Sequence, residues 1–354
     1  MNKKSKSSAS SSNLSLDPST IPAGVVGFGN MGSSIAACLL VAGHRVAAVT
    51  PDPTERRTAK QRLRRHLIEV QEEGKLQAEP SQLLQKFTVS DDYSSLAGCG
   101  VVIETIVEEL EAKQIAIRAI EEQVAARAII GSNTSALPIT QLQAGAIKPG
   151  RILGTHWSLP APLSPFLEII CGQQTRPAAA QRALALARLW GKDPTFVRKD
   201  VRGFIANRIG YAILREAFAL VEAGVATPAD VDRSLRYTIG TSILFAGPFR
   251  YLDLSGLPAY ATVMRDLLPD LSCEDEVPEV LEKLIASGAC GVSNGRGFYH
   301  YTPAQAKRWE AAFQQFRRDV IALSQQYSDD AVEMGRPSVK RHRSDGRRPE
   351  KGDE

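Results

Sequence analysis

Short runs of β-branched and apolar residues alternate with longer stretches in which apolar positions recur every three or four residues. The runs at 24–26, 45–50, 87–90, 101–106, 128–133 and 151–157 predict strands. The stretches at 31–42, 54–73 and 109–125 predict helices between them. Such alternation is the pattern of a parallel, doubly wound sheet, because each parallel strand pair needs a crossover helix. After residue 200 the strand signal stops. Residues 204–223 and 228–237 then read as amphipathic helices, and 281–287 as a further helical pattern beyond a Gly- and Pro-punctuated region.

The ends of the chain break the pattern. Residues 1–19 are rich in Ser and Lys and almost lack bulky apolar side chains, so burial cannot offset the entropy of ordering them; they read as a disordered leader. Residues 328–354 mix charges of both signs, with the basic runs Lys340-Arg341-His342-Arg343 and Arg347-Arg348, and read as a disordered charged tail. Between them, 20–200 is expected to form the α/β domain and 201–327 a smaller all-α domain.

Composition narrows the class. A chain of 354 residues with 43% apolar and 23% charged residues has material for two folded domains. A net charge of +4 gives no case for nucleic acid. The five cysteines form no C-x-x-C pair, so neither a disulfide framework nor a metal site is expected. No apolar run is long enough for a membrane span and no secretory signal is visible, which makes the cytoplasm the expected address.

Three places carry candidate chemistry. The turn Gly27-Phe28-Gly29-Asn30-Met31-Gly32 follows a predicted strand and opens a predicted helix, the context of the Rossmann dinucleotide fingerprint. The acid that normally ends the second strand and binds the adenosine ribose is absent. Thr50 stands there, with Asp52 two positions on and Arg56 and Arg57 beyond, so NAD is expected and NADP stays open. Ser132-Asn133-Thr134-Ser135 ends another strand, at the ligand side of such sheets; Asn133 and Ser135 either contact ligand or cap the next helix. Finally, His156 ends the strand at 151–157, and Glu168 lies among apolar neighbours. If the two short strands fold back on each other, Glu168 can orient the imidazole of a general base.

Taken with Val102-Ile-Glu104-Thr-Ile-Val-Glu108 running to Lys113, Lys199-Asp-Val-Arg-Gly203-Phe-Ile-Ala-Asn207-Arg208, Gly247-Pro-Phe and Gly295-Arg-Gly297-Phe-Tyr299, these motifs make the chain resemble the 3-hydroxyacyl-CoA dehydrogenases and their bacterial 3-hydroxybutyryl-CoA relatives, over residues 21–301. The resemblance implies an (S)-3-hydroxyacyl-CoA substrate. It makes His156 the catalytic base and Glu168 its orienting carboxylate, and it has Ser135 and Asn207 hydrogen-bond the substrate oxygen. It places Glu108 and Lys113 along the cofactor, the active site between the domains, and a homodimer interface in the helical domain.

The chain departs from that pattern in three places. His-Phe-Phe-Asn-Pro appears as His156-Trp157-Ser158-Leu159-Pro160, Arg202 replaces a proline, and Thr50 replaces an aspartate. Two rivals therefore accompany the leading reading: a dehydrogenase of a free 3-hydroxy acid, and a non-catalytic dinucleotide-binding protein of the same fold. Arg62, Arg64 and Arg65 read as a solvated helix face that approaches CoA phosphates in the family, and His44, His66 and His300 as structural residues.

Overall fold

The structure, a computed structural model, describes residues 16–333. The basic tail and nearly all of the leader lie outside them. Two compact units are distinguished, residues 1–211 and 212–354.

The first unit is built on eight strands: β1 (Ala23–Val26), β2 (Val46–Val49), β3 (Phe87–Ser90), β4 (Val101–Glu104), β5 (Ile129–Ser132), β6 (Ile152–Trp157), β7 (Phe166–Cys171) and β8 (Asp193–Val197). Helices α1 (Asn30–Val41), α2 (Pro53–Glu72), α3 (Pro80–Leu84), α4 (Leu110–Gln123), α5 (Ile139–Gln143) and α6 (Pro177–Leu189) are interspersed among them. The sheet runs in the order β3-β2-β1-β4-β5-β6-β7-β8, all pairs parallel except β6 with β7. The sheet is the doubly wound, mostly parallel one expected, and the one antiparallel pair is the fold-back of the strands carrying His156 and Glu168, joined by a connection too short for a parallel crossover. β8 was not visible as a strand, since its Asp-Pro-Thr-Phe-Val run holds only two bulky apolar residues.

Strands buried on both faces explain the near-continuous apolar runs. Alternate residues enter two cores: Val25 and Ile103 on one face with α1, α2 and α6, Val26, Val102 and Ile130 on the other with α4 and α5. Helix α2 buries Ala59, Leu63, His66, Leu67 and Val70, a stripe at helical spacing with the arginines outside it. His66 spans Ser33 Oγ and Glu69, and His44 bridges the Ile21 carbonyl and the Trp190 indole N–H. Both are structural, as expected; burial pulls the His44 pKa down and keeps the ring neutral.

The first unit takes in the start of α7 (Ala206–Glu222). Phe204 is 1% exposed within the core beside α4 and α5, so the turn preceding α7 belongs to the sheet. The second unit continues from α7 into α8 (Pro228–Tyr237), α9 (Ile239–Ser255), α10 (Leu257–Leu267), α11 (Glu279–Ala286), α12 (Pro303–Gln326) and α13 (Asp329–Glu333). It is all α among the described residues.

Ile103 is fully buried at the centre of β4, between β1 and β5. Truncation to Ala leaves a cavity that close-packed neighbours cannot fill, and Ile103→Ala is expected to cost about 2–5 kcal/mol in urea unfolding with an unchanged circular dichroism spectrum.

Candidate active site

The strand order reverses at β1 and β4, and the crevice beyond their carboxyl ends is where such sheets bind ligands. Gly27 leaves β1 with φ +86°, a left-handed conformation that favours glycine. A side chain on Gly32 would collide with the Gly27 carbonyl, so helix and turn need glycine at both positions. Gly29 caps α1 without any side chain across its first N–H groups. Asn30 and Met31 form the first helical turn. An open helix N-terminus behind a glycine turn fits the pyrophosphate of a dinucleotide, through its N–H groups and its dipole.

At the end of β2, Thr50 is 1% exposed and donates to Glu55 Oε2 at 2.7 Å. The Phe28 N–H in the glycine turn donates to the same oxygen at 3.1 Å. Asp52, the carboxylate expected for the ribose, is instead the N-cap of α2, where it accepts the Thr54 N–H at 2.7 Å. Capping satisfies an orphan helix donor and engages that carboxylate. Arg56 donates to the Thr50 and Pro51 carbonyls and pairs with Asp91 at 3.1 Å, while Arg57 reaches only Thr54 Oγ1.

A second group lies at the ends of β4 and β5. Glu104, fully buried, accepts from Lys113 Nζ at 2.9 Å, from the Ile106 N–H at 2.7 Å and from Ser132 Oγ. Lys113 is 1% exposed and also lies 3.4 Å from Glu108. The lysine expected along the cofactor is therefore interior, and its charge is compensated by two carboxylates. Glu108 accepts from Thr134 Oγ1 and from the N–H groups of Ser135 and Ala136. Burial acts to raise the Glu108 carboxyl, but these donors and the Lys113 ammonium outweigh it and hold it below the ordinary Glu value. The cap of this turn is Thr134, which accepts from Ala136 and Leu137, rather than Asn133 or Ser135. Asn133 accepts the Trp157 N–H at 3.0 Å and ties β5 to β6.

The third group is the catalytic candidate. In the antiparallel register His156 stands directly opposite Glu168, so both side chains leave one face of the sheet. His156 Nδ1 lies 2.7 Å from Glu168 Oε2, with Glu168 1% exposed. Glu168 Oε1 accepts the N–H groups of Ile205 at 3.2 Å and Ala206 at 3.1 Å, where α7 begins. Phe166 and Phe204 flank the imidazole at 5.5 and 5.8 Å. With Nδ1 facing the carboxylate, Nδ1 carries the proton and Nε2 is left as the basic nitrogen. Nε2 has no hydrogen-bond partner among the described residues. Asn207 donates from Nδ2 to the Ser135 carbonyl at 2.8 Å, bringing these two expected substrate contacts together.

Two supports escaped the sequence reading. Ser34 Oγ accepts the Ala161 N–H at 2.8 Å, and the buried Lys192 donates to the carbonyls of Ala161 and Ser164. Together they fix the loop that follows His156. No cluster of His, Cys, Asp or Glu suited to a metal occurs among the described residues.

Comparison with known proteins agrees with this geometry. The profile for 3-hydroxyacyl-CoA dehydrogenase, NAD binding domain, matches residues 22–201, and that for 3-hydroxyacyl-CoA dehydrogenase, C-terminal domain, matches residues 203–301. The chain belongs to the 3-hydroxyacyl-CoA dehydrogenase family. Its sheet unit is an NAD-binding domain. The chain is 38% identical over 289 residues to the 5-formyl-3-hydroxy-2-methylpyridine 4-carboxylate 5-dehydrogenase of Mesorhizobium japonicum, covering 81% of this chain and 93% of the relative. It is 31% identical over 279 residues to the probable 3-hydroxybutyryl-CoA dehydrogenase of Bacillus subtilis, covering 78% and 96%. Among solved structures, a 5-formyl-3-hydroxy-2-methylpyridine 4-carboxylic acid 5-dehydrogenase described as an NAD+ dependent dismutase superposes with a TM-score of 0.76 at 33% identity, covering 89% of this chain and 99% of that one. The (S)-3-hydroxybutyryl-CoA dehydrogenase from Ralstonia eutropha gives 0.66 at 28%, covering 79% and 99%.

Glu108 supplies a pH test. A carboxyl whose folded pKa is depressed stabilises the fold fully above its unfolded value of about 4.3, and the contribution is lost as pH falls through the folded value. The group is 42% exposed, which screens the effect. In thermal melts, wild type is expected to exceed Glu108→Gln in Tm at pH 7, with the gap closing below pH of about 4.

Proposed function

We propose that this protein is a dehydrogenase that interconverts a hydroxyl and a carbonyl on a small free carboxylic acid, with His156 as the general base. The paired His156 and Glu168, with Nε2 left open, carries the reading. NAD supplies the hydride acceptor when bound. His156 Nε2 takes the hydroxyl proton, and the ionised Glu168 compensates the imidazolium that results. Ser135 and Asn207 hydrogen-bond the reacting oxygen, and Glu108 holds the Ser135 turn in place. A free acid is favoured because identity and structural overlap are both higher with the pyridine-carboxylate enzyme than with the CoA enzymes.

An (S)-3-hydroxyacyl-CoA is the second reading, supported by a specific surface. Arg62, Arg64 and Arg65 line an open recess of about 650 Å³ along α2 together with Glu69 and Glu72, and the three guanidiniums are the groups there that would meet the phosphates of CoA. The decisive assay follows NADH with pyridine and 3-hydroxy carboxylic acids beside acetoacetyl-CoA. Turnover on free acids alone is expected. Thioester-dependent turnover selects the second reading, and bound NADH without turnover on either class selects a non-catalytic protein. His156→Gln is expected to reduce kcat by about 10²–10⁴-fold while NADH binding persists.

We further propose a homodimer in a reducing, cytoplasmic setting. The five cysteines are free thiols. No helix among the described residues is long and apolar enough to cross a membrane. In the helical unit no described residue is buried, and Phe249, Tyr237 and Val225 are 81, 71 and 69% exposed. So much open apolar surface on helices marks an association face, and a second copy is the partner implied by the family. Light scattering is expected to return the mass of two chains, with Phe249→Asp shifting it toward one; a single-chain mass for wild type refutes the dimer.

A further inference from the structure

We propose that Glu55 is the carboxylate that binds the adenosine ribose and makes the site select NAD over NADP. In doubly wound dinucleotide folds an acid ending the second strand accepts the ribose hydroxyls and repels a 2′-phosphate. Here the strand ends in a buried threonine, and the next acid in sequence, Asp52, is occupied as a helix cap. Glu55 lies on the first turn of α2 and reaches back over the end of β2. Its Oε2 accepts from Thr50 at 2.7 Å and from the Phe28 N–H of the glycine turn at 3.1 Å. Thr50 and Glu55 together thus place one carboxylate where the missing strand-end acid would stand.

The other oxygen faces the ligand side. Oε1 has no hydrogen-bond partner among the described residues, and it lies 3.6 Å from where a Cβ on Gly29 would be, with no other described atom beyond the adjoining residues within 4 Å. Gly29 is the residue whose bare backbone admits the pyrophosphate. A half-buried carboxylate with one free oxygen beside that backbone is placed to accept the ribose hydroxyls.

The nearby arginines do not offset it. Arg56 is engaged by two carbonyls and by Asp91, and Arg57 by Thr54 on the exposed face. Arg62 donates from Nη1 to the Phe28 carbonyl of the glycine turn at 3.2 Å, so each of these guanidiniums is already engaged where a 2′-phosphate would meet the anion.

The test is equilibrium titration of the full-length protein with NADH and NADPH, followed by dinucleotide fluorescence, for wild type, Glu55→Gln and Glu55→Ala. Glu55→Gln preserves an oxygen for Thr50 and Phe28 but removes the charge. Wild type is expected to bind NADH at least about tenfold more tightly than NADPH, and Glu55→Gln to shrink that ratio about tenfold, with weakened NADH binding and maintained or improved NADPH binding. Equal weakening of both dinucleotides would show that Glu55 only braces the glycine turn and would overturn the proposal, as would an unchanged ratio in both variants. Thermal melts of each variant confirm that a folded protein was titrated. Because the readout is binding, the outcome is independent of which substrate the enzyme turns over.

Discussion

A carboxylate almost sealed from water at the centre of β7 governs the geometry around it. An uncompensated ion costs several kcal/mol in such a place, so Glu168 must be met by donors on every open lone pair. One comes from the cross-strand imidazole and two from the N–H groups that open α7. The antiparallel strand sets His156 opposite the carboxylate. The turn Gly203-Phe204, with φ of +80° and +52°, delivers the chain to the helix start that caps it. The same pair that neutralises the buried charge fixes the tautomer of the histidine. Stability and chemistry therefore share one set of atoms.

The remaining parts of the site are held by a similar device, a carboxylate gathering several donors. Glu104 collects Lys113, Ser132 and the Ile106 N–H, and Glu108 collects the turn at Ser135. Both anions share the buried Lys113 ammonium. Such hydrogen-bonded charges add little net stability compared with apolar packing, but they penalise any alternative arrangement of the turns. The crevice at the strand switch is thereby lined by turns with fixed backbones, the condition for placing a substrate oxygen to within a fraction of an ångström.

Local pattern made much of this legible. Strand runs, the glycine turn and the stripe on α2 each depend on residues within a few positions of one another, and the structure reproduces them with small shifts at their ends. The pairing of His156 with Glu168 followed from two short strands with a buried acid between apolar neighbours. What escaped the reading depends on contacts distant in sequence. β8 lacks an apolar alternation of its own and is a strand because β7 offers it an edge. Lys192 looks like an ordinary surface lysine until the fold brings the Ala161 and Ser164 carbonyls to its ammonium. Asp52 is nearest in sequence to the vacant acid position, yet the cap of α2 claims it while Glu55 reaches over the strand end.

The departures from the family pattern bear on different parts of the chemistry. Leu159 removes an amide from the segment after the base, but Ser34 and Lys192 hold that loop through its backbone, so its shape does not depend on the lost side chain. Arg202 precedes a turn whose position is set by the Gly203 N–H on the Ala136 carbonyl, and its own carbonyl accepts from Arg208. A proline there would restrict φ; the arginine keeps the turn and adds a cation on the exposed side. The proton-transfer apparatus is thus retained while the surroundings lose an amide and gain positive charge. The two changes leave the hydrogen bonds between His156, Glu168 and the start of α7 untouched, because none of those bonds runs through the side chain of Leu159 or Arg202.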